Sequence, residues 1–286
     1  FISGSGRHFF KSALPEQHWT LSSLKTLVKI LAAALMTAQT VSCAPQKIAI
    51  AAHRGFWNCE EAGYAENSIQ SLEVAQRNKL WGSEFDVQMT SDLVLMVYHD
   101  VEIEGKRISE HKYADFKDYR LKNGERIPTL DEYLAQGAKS RTVMVLEIKR
   151  AVDLPNEDYL IDQCVKSLKD HKLFKPKRVV FLSGNMSVCE KLAARCPGFT
   201  VQYIRYDKSP AEVAGHGVNG VAYPRKTFKK HPTWIKEARD NKMNVNCWAA
   251  KTEKDAQNMI DIGVDCITTN DPLLIREKLG KRERRR

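Results

Sequence analysis

The sequence predicts an α/β fold, a (β/α)8 barrel with a β-hairpin and a short insertion between its second and third strands. Three observations predict it. Eight short β-rich stretches, beginning near residues 48, 83, 143, 179, 200, 220, 244 and 265, alternate with stretches of helical character. Such alternation builds a parallel sheet with helical crossovers. Charged and polar residues end several of these strands, where barrels of this kind keep their chemistry. Neither G-x-G-x-x-G after the first strand nor G-x-x-x-x-G-K-S/T occurs, which weakens the competitor, an open doubly wound sheet, in its dinucleotide and P-loop forms.

Taken in order, residues 1–43 are set apart as an N-terminal extension. Lys25 and Lys29 precede the apolar run Ile30 to Ala38, and small residues then lead to Cys43. That is the layout of a secretory signal, too short to span a bilayer, so the protein is expected to be exported, to the periplasm or a bacterial membrane surface. Thr40-Val41-Ser42-Cys43 is also a loose lipobox. Cys43 is then either a lipidated membrane anchor or incidental to an ordinary cleaved signal. The barrel is expected over residues 44–280, followed by a basic tail, 281–286, read as a solvated end.

Ile48 to Ala52 reads as the first strand and ends at His53-Arg54-Gly55. Ser68 to Leu80 has roughly helical spacing with Asn67 or Ser68 as N-cap, although Gln76 interrupts its apolar stripe. Glu84 to Thr90 and Leu93 to Tyr98 are separated by Ser91-Asp92 alone, which predicts an antiparallel hairpin with a two-residue loop. Residues 101–128 are polar and weakly periodic, either a lid or a long surface loop. Thr129 to Ala138 is expected to be helical, with a capping box formed by Thr129 and Glu132. Thr142 to Lys149 is the next strand. Helices are expected over 156–171, 186–195, 210–214, 232–241, 253–262 and 273–279, and strands over 178–182, 200–204, 220–223, 244–248 and 265–268.

The formal charge of +10 is concentrated at the ends: residues 1–43 contribute +3 and residues 281–286 contribute +4, leaving +3 for the body. A body so nearly balanced lacks the basic footprint that nucleic-acid binding needs. No protein partner is inferred. The seven cysteines form no C-x-x-C pair or zinc spacing, and Cys164, Cys189, Cys247 and Cys266 read as small core residues.

On a barrel, strand ends distant in sequence meet at one face. Glu84 and Asp86 are two apart on one strand and so share a face, and Glu147 and Lys149 do the same on the next. Glu84, Asp86 and Glu147 are the candidate ligands of one divalent cation, Ca²⁺ or Mg²⁺, held through hard oxygens. Arg54 and Lys149 are candidates to neutralise a phosphodiester, and Trp248 to line the same cleft. His53 and His99 are the candidate acid and base, with the order between them open. Singly, His53 reads as a cap, Lys149 as a surface charge and Trp248 as a core aromatic; their shared placement on strand ends is what points to a site.

His53-Arg54-Gly55, Glu66-Asn67, Glu84-Phe-Asp86, His99-Asp100, the run Ile127 to Glu132, Glu147-Ile-Lys149 and the run Gly263 to Thr268 resemble the successive motifs of the glycerophosphodiester phosphodiesterase family, in the family's order. The resemblance implies a TIM barrel, a divalent metal on Glu84, Asp86 and Glu147, and catalysis by His53 and His99. It also implies small-molecule substrates that are deacylated phospholipids, cleaved to glycerol 3-phosphate and an alcohol. Three departures bear on substrate: Ala65 where the family has Pro, a longer loop from Phe56 to Ala65 with an aromatic pair and the acids Glu60-Glu61, and Asn270 in place of an acid. The alternatives are the same barrel acting on lysophospholipids or phosphoinositides, favoured by an apolar rim at Phe56 and Trp57, and a surface protein that binds phosphodiesters without cleaving them.

Overall fold

The structure, a computed structural model, describes residues 48–149 and 154–284. Cys43 and the signal-like segment lie outside the described residues. Eight parallel strands close into a barrel: β1 (Ala49–Ala52), β2 (Gly82–Met89), β6 (Val143–Ile148), β7 (Val179–Ser183), β8 (Thr200–Tyr203), β9 (Gly220–Pro224), β10 (Asn244–Trp248) and β11 (Cys266–Thr269). Each pairs with the next in this order, and β11 pairs with β1 to complete the ring.

Strand period decides what faces where. On β6, Met144, Leu146 and Ile148 join the core shared with the helices, whereas Val143 and Val145 join an inner cluster with Ala51, Val180, Leu182 and Ala222. The same alternation sends Phe85 and Val87 of β2 outward and leaves Glu84 and Asp86 on the inner face. The inner face is partly polar: buried Gln202 donates to Asn244 Oδ1 at 2.6 Å, and buried Asn246 meets Thr268 Oγ1 at 2.9 Å. Each buried amide is thereby paired, as burial requires.

Among the described residues the outer layer comprises α1 (Ile69–Arg77), α2 (Leu130–Gly137), α3 (Leu154–Asp170), α4 (Met186–Arg195), α5 (Pro210–Gly215), α6 (Arg225–Lys230), α7 (Trp234–Asp240), α8 (Glu253–Asp261) and α9 (Pro272–Arg284). Ser68 caps α1 and Thr129 with Glu132 closes the capping box of α2. Gln76 has a packing role: it exchanges hydrogen bonds with buried Gln136 of α2 at 2.8 and 3.1 Å. Two elements differ from expectation. A short helix, α6, follows β9 directly, and α9 continues to Arg284, into the segment read as a tail. Lys, Arg and Glu are good helix formers, and cations suit a helix carboxyl end.

The hairpin also differs. β3 (Leu95–Val97) pairs antiparallel with β2, but the loop holds three residues, because Thr90 N–H donates to Val94 O and Leu93 takes φ 64°. Ser-Asp lacks the positive-φ preference of a tight two-residue turn, and a turn ending in a left-handed residue replaces it. Residues 101–128 form a compact insertion, with a small ribbon of β4 (Glu102–Ile103) and β5 (Lys106–Arg107). It has its own core, in which Ile103, Ile108, Phe116, Leu121 and Ile127 pack with Met96 and Ala65. Glu125 fastens it to the barrel by accepting from the N–H groups of Ile69 and Gln70 at 2.9 and 3.1 Å.

Candidate active site

β2 and β6 lie side by side with Asp86 level with Glu147. Their register and inward faces bring oxygens of Glu84, Asp86 and Glu147 within 4.8 Å of one another. Glu84 and Asp86 are 3% and 1% exposed. Lys149 Nζ lies 2.7 Å from both Asp86 and Glu147. Asn67 donates to Asp86 Oδ2 at 2.9 Å, and the Arg54 N–H donates to Glu84 Oε2 at 2.8 Å.

These contacts do not balance three carboxylates. Burial, with the charges of Asp86 and Glu147, pushes Glu84 well above the usual range. Burial and Asp86 likewise push Glu147 up to about 7. Burial opposes ionisation of Asp86 too, but Lys149, His99 and the Asn67 bond outweigh it and hold Asp86 at about 2. Lys149, drawn by both acids, is raised despite its burial. An all-oxygen donor set with uncompensated negative charge fits a hard divalent cation and does not distinguish Ca²⁺ from Mg²⁺.

The turn after β1 carries His53 and Arg54. Arg54 takes φ 52° and Gly55 φ 78°, and Gly55 N–H donates to Glu84 O, folding the turn over β2. A Cβ on Gly55 would lie 2.0 Å from Ser71 Oγ, so glycine is required. His53 Nδ1 is 2.7 Å from Asn270 Oδ1, and its Nε2 is 3.9 Å from Glu84. Burial and then Arg54 lower the His53 pKa below 6.5. The Arg54 guanidinium reaches Glu66 at 2.6 Å, while its Nε is buried without a hydrogen-bond partner, 3.9 Å from Asp86. His99 follows β3; Tyr98 N–H bonds Asp86 O, and His99 Nδ1 pairs with Asp100 at 2.7 Å.

Seven of the eight expected residues therefore gather around β1, β2 and β6. Trp248 ends β10, across the barrel, where its indole N–H donates to Ala222 O at 2.8 Å and its ring stands 6.4 Å from Tyr206. Lys149 differs from expectation in lying against two carboxylates, because an ammonium beside three buried acids is drawn inward. The loop after Gly55 differs as well: Phe56 is 6% exposed and packs with Ala62, Val74 and Leu80, and Glu61 pairs with Arg77. Phe56 is therefore withdrawn from any apolar rim and Glu61 is engaged, while Trp57 is half-buried and Glu60 exposed. Residue chemistry alone missed the roles of Asn67 and Asn270, neutral side chains that orient Asp86 and His53; Asn67 stood out as a candidate cap and within the motif Glu66-Asn67, and Asn270 only as a replaced acid.

Comparison with known proteins agrees with this fold. Residues 53–274 match the model of the Glycerophosphoryl diester phosphodiesterase family. A glycerophosphodiester phosphodiesterase of Caldanaerobacter subterraneus is 26% identical over 241 residues, 79% of this chain and 95% of that protein. A crystal structure of a glycerophosphodiester phosphodiesterase from Parabacteroides distasonis is 37% identical, with a TM-score of 0.79 over 84% of this chain and 100% of that one. An Oleispira antarctica phosphodiesterase solved in complex with its product sn-glycerol-3-phosphate shares the fold at 21% identity and a TM-score of 0.68, over 81% and 96%. With its barrel and most of its length so matched, the chain belongs to the glycerophosphoryl diester phosphodiesterase family of enzymes.

Proposed function

We propose that the protein hydrolyses glycerophosphodiesters to glycerol 3-phosphate and an alcohol, with a divalent cation on Glu84, Asp86 and Glu147. The observation that carries this reading is the gathering of those three carboxylates within 4.8 Å beside two histidines with unlike partners. When bound, the cation supplies positive charge to the phosphate oxygens. The partly exposed Arg54 guanidinium adds positive charge beside the phosphate, and Lys149 holds the carboxylates in place.

A carboxylate partner compensates an imidazolium and an amide partner does not. His53 faces the Asn270 amide oxygen, which only accepts, so Nδ1 carries the proton and Nε2 is the basic nitrogen. His53 takes the proton of the glycerol 2-hydroxyl as that oxygen bonds to phosphorus. His99, paired with Asp100, gives a proton to the departing alcohol oxygen. In the second half His99 takes a proton from water as the water attacks the cyclic phosphate, and His53 returns its proton to the glycerol oxygen.

Assay of glycerol 3-phosphate release by His53→Ala and His99→Ala tests the scheme. Each loses on the order of 10² to 10⁴ in kcat; full activity of either contradicts it. Export, with or without lipidation at Cys43, is part of the reading and rests on residues 25–43; the mass of the mature N-terminal peptide checks it.

A further inference from the structure

We propose that Tyr206, Lys226 and Trp248 form the headgroup subsite of the site just described, and that it selects headgroups bearing an anion over cationic ones. The inference rests on the phosphodiesterase reading and adds the class of alcohol. In the closed ring β9 stands opposite β2, β8 opposite β1 and β10 opposite β6. Tyr206 follows β8, Lys226 follows β9 and Trp248 ends β10. The three therefore face the carboxylates and His53 across the same mouth, at the carboxyl ends of the strands.

The attacking glycerol hydroxyl must fold back to phosphorus, which keeps the three-carbon glycerol against the phosphate. Only the other arm of the diester can extend across the barrel.

Tyr206 and Trp248 meet edge to face with centroids 6.4 Å apart. An aromatic pair at this position would hold a quaternary ammonium by cation–π attraction. Here the chain's own Lys226 ammonium already lies over the Tyr206 ring, 6.0 Å from its centre. Lys226 is exposed and has no ion-pair partner among the described residues. Nearby acids are engaged: Asp207 accepts from Tyr203 and Asp255 pairs with Arg225. Tyr206 is held at φ 49°, in the left-handed region, while 42% exposed. Such strain at a site's edge marks a position the surroundings over-determine. The subsite thus offers an aromatic wall and a free cation, which repels a trimethylammonium group and attracts a carboxylate or phosphate.

Two matched pairs of substrates test this: glycerophosphoserine against glycerophosphoethanolamine, differing by a carboxylate, and glycerophosphoinositol 4-phosphate against glycerophosphoinositol, differing by a phosphate. The protein is expected to favour the anionic member of at least one pair by on the order of tenfold in kcat/KM, and the pair that responds names the anion. Lys226→Glu should reverse that preference, whereas Lys229→Glu, the same charge change at an exposed position of α6, should leave it standing. Turnover without anionic preference, or equal effects of the two substitutions, overturns the subsite alone. No release of glycerol 3-phosphate from any of the four overturns the phosphodiesterase reading and this inference with it.

Discussion

His53 Nδ1 lies 2.7 Å from Asn270 Oδ1, across the seam where β1 and β11 run side by side. The amide fixes the ring and its tautomer without adding negative charge, and burial and Arg54 lower the His53 pKa. A base must be neutral to act, so the acid limb of kcat/KM lies below pH 6.5. Asn270→Asp supplies a carboxylate and moves that limb upward, and Asn270→Ala lowers kcat by on the order of tenfold through lost orientation. Profiles measured at saturating cation check both; an unmoved limb in Asn270→Asp contradicts the role given to Asn270.

The metal-free protein should lose stability as pH rises. Glu147 is raised to about 7, and Glu84 is raised as well. A raised carboxylate contributes stability that is whole below its unfolded value, near 4.3, and is lost as pH climbs through its folded value. The thermal midpoint should therefore fall between about pH 5 and 7, with up to ~1.4 kcal/mol lost per pH unit per group. Asp86, lowered to about 2, acts in the opposite sense at pH below this window. Glu147→Gln should flatten the slope, and added Ca²⁺ or Mg²⁺ should abolish it by binding the charged form. Calorimetry across pH, with and without cation, decides.

Glu125 joins the insertion to α1 by accepting two of its first N–H groups. Glu125→Ala should cost about 1–2 kcal/mol of unfolding free energy, read as a lower urea midpoint at unchanged m-value. An unchanged midpoint would mean that the insertion's core alone holds it in place.

Gly55→Ala should cost roughly 2 kcal/mol or more, because the new Cβ meets Ser71 Oγ at 2.0 Å in a residue at φ 78°. Ser71→Gly in the same chain should recover only the steric part. Denaturant unfolding of the single and double variants measures both parts.

Much of this was legible in the sequence, for reasons particular to each element. The barrel shows because eight β-rich stretches alternate with helical ones along the chain, and the strand period places Glu84 with Asp86. The hairpin loop was miscounted because a non-glycine residue, Leu93, occupies the left-handed position. The packing of Phe56 and the pairing of Glu61 were not legible because nothing local reveals that their loop packs on α1. Asn67 and Asn270 act through partners 19 and 217 residues away, and a neutral amide carries no chemical signal until its partner is known. Lys226 and Tyr206 meet only because β8 and β9 are neighbours in the ring.

The most direct test of the central claim is release of glycerol 3-phosphate from glycerophosphoethanolamine by protein stripped with EDTA, then titrated with Ca²⁺ or Mg²⁺, beside Glu84→Ala treated alike. The account predicts no release after stripping, recovery on addition of one cation per chain, and neither cation binding nor recovery in Glu84→Ala. Undiminished release by the folded, metal-free protein would contradict it.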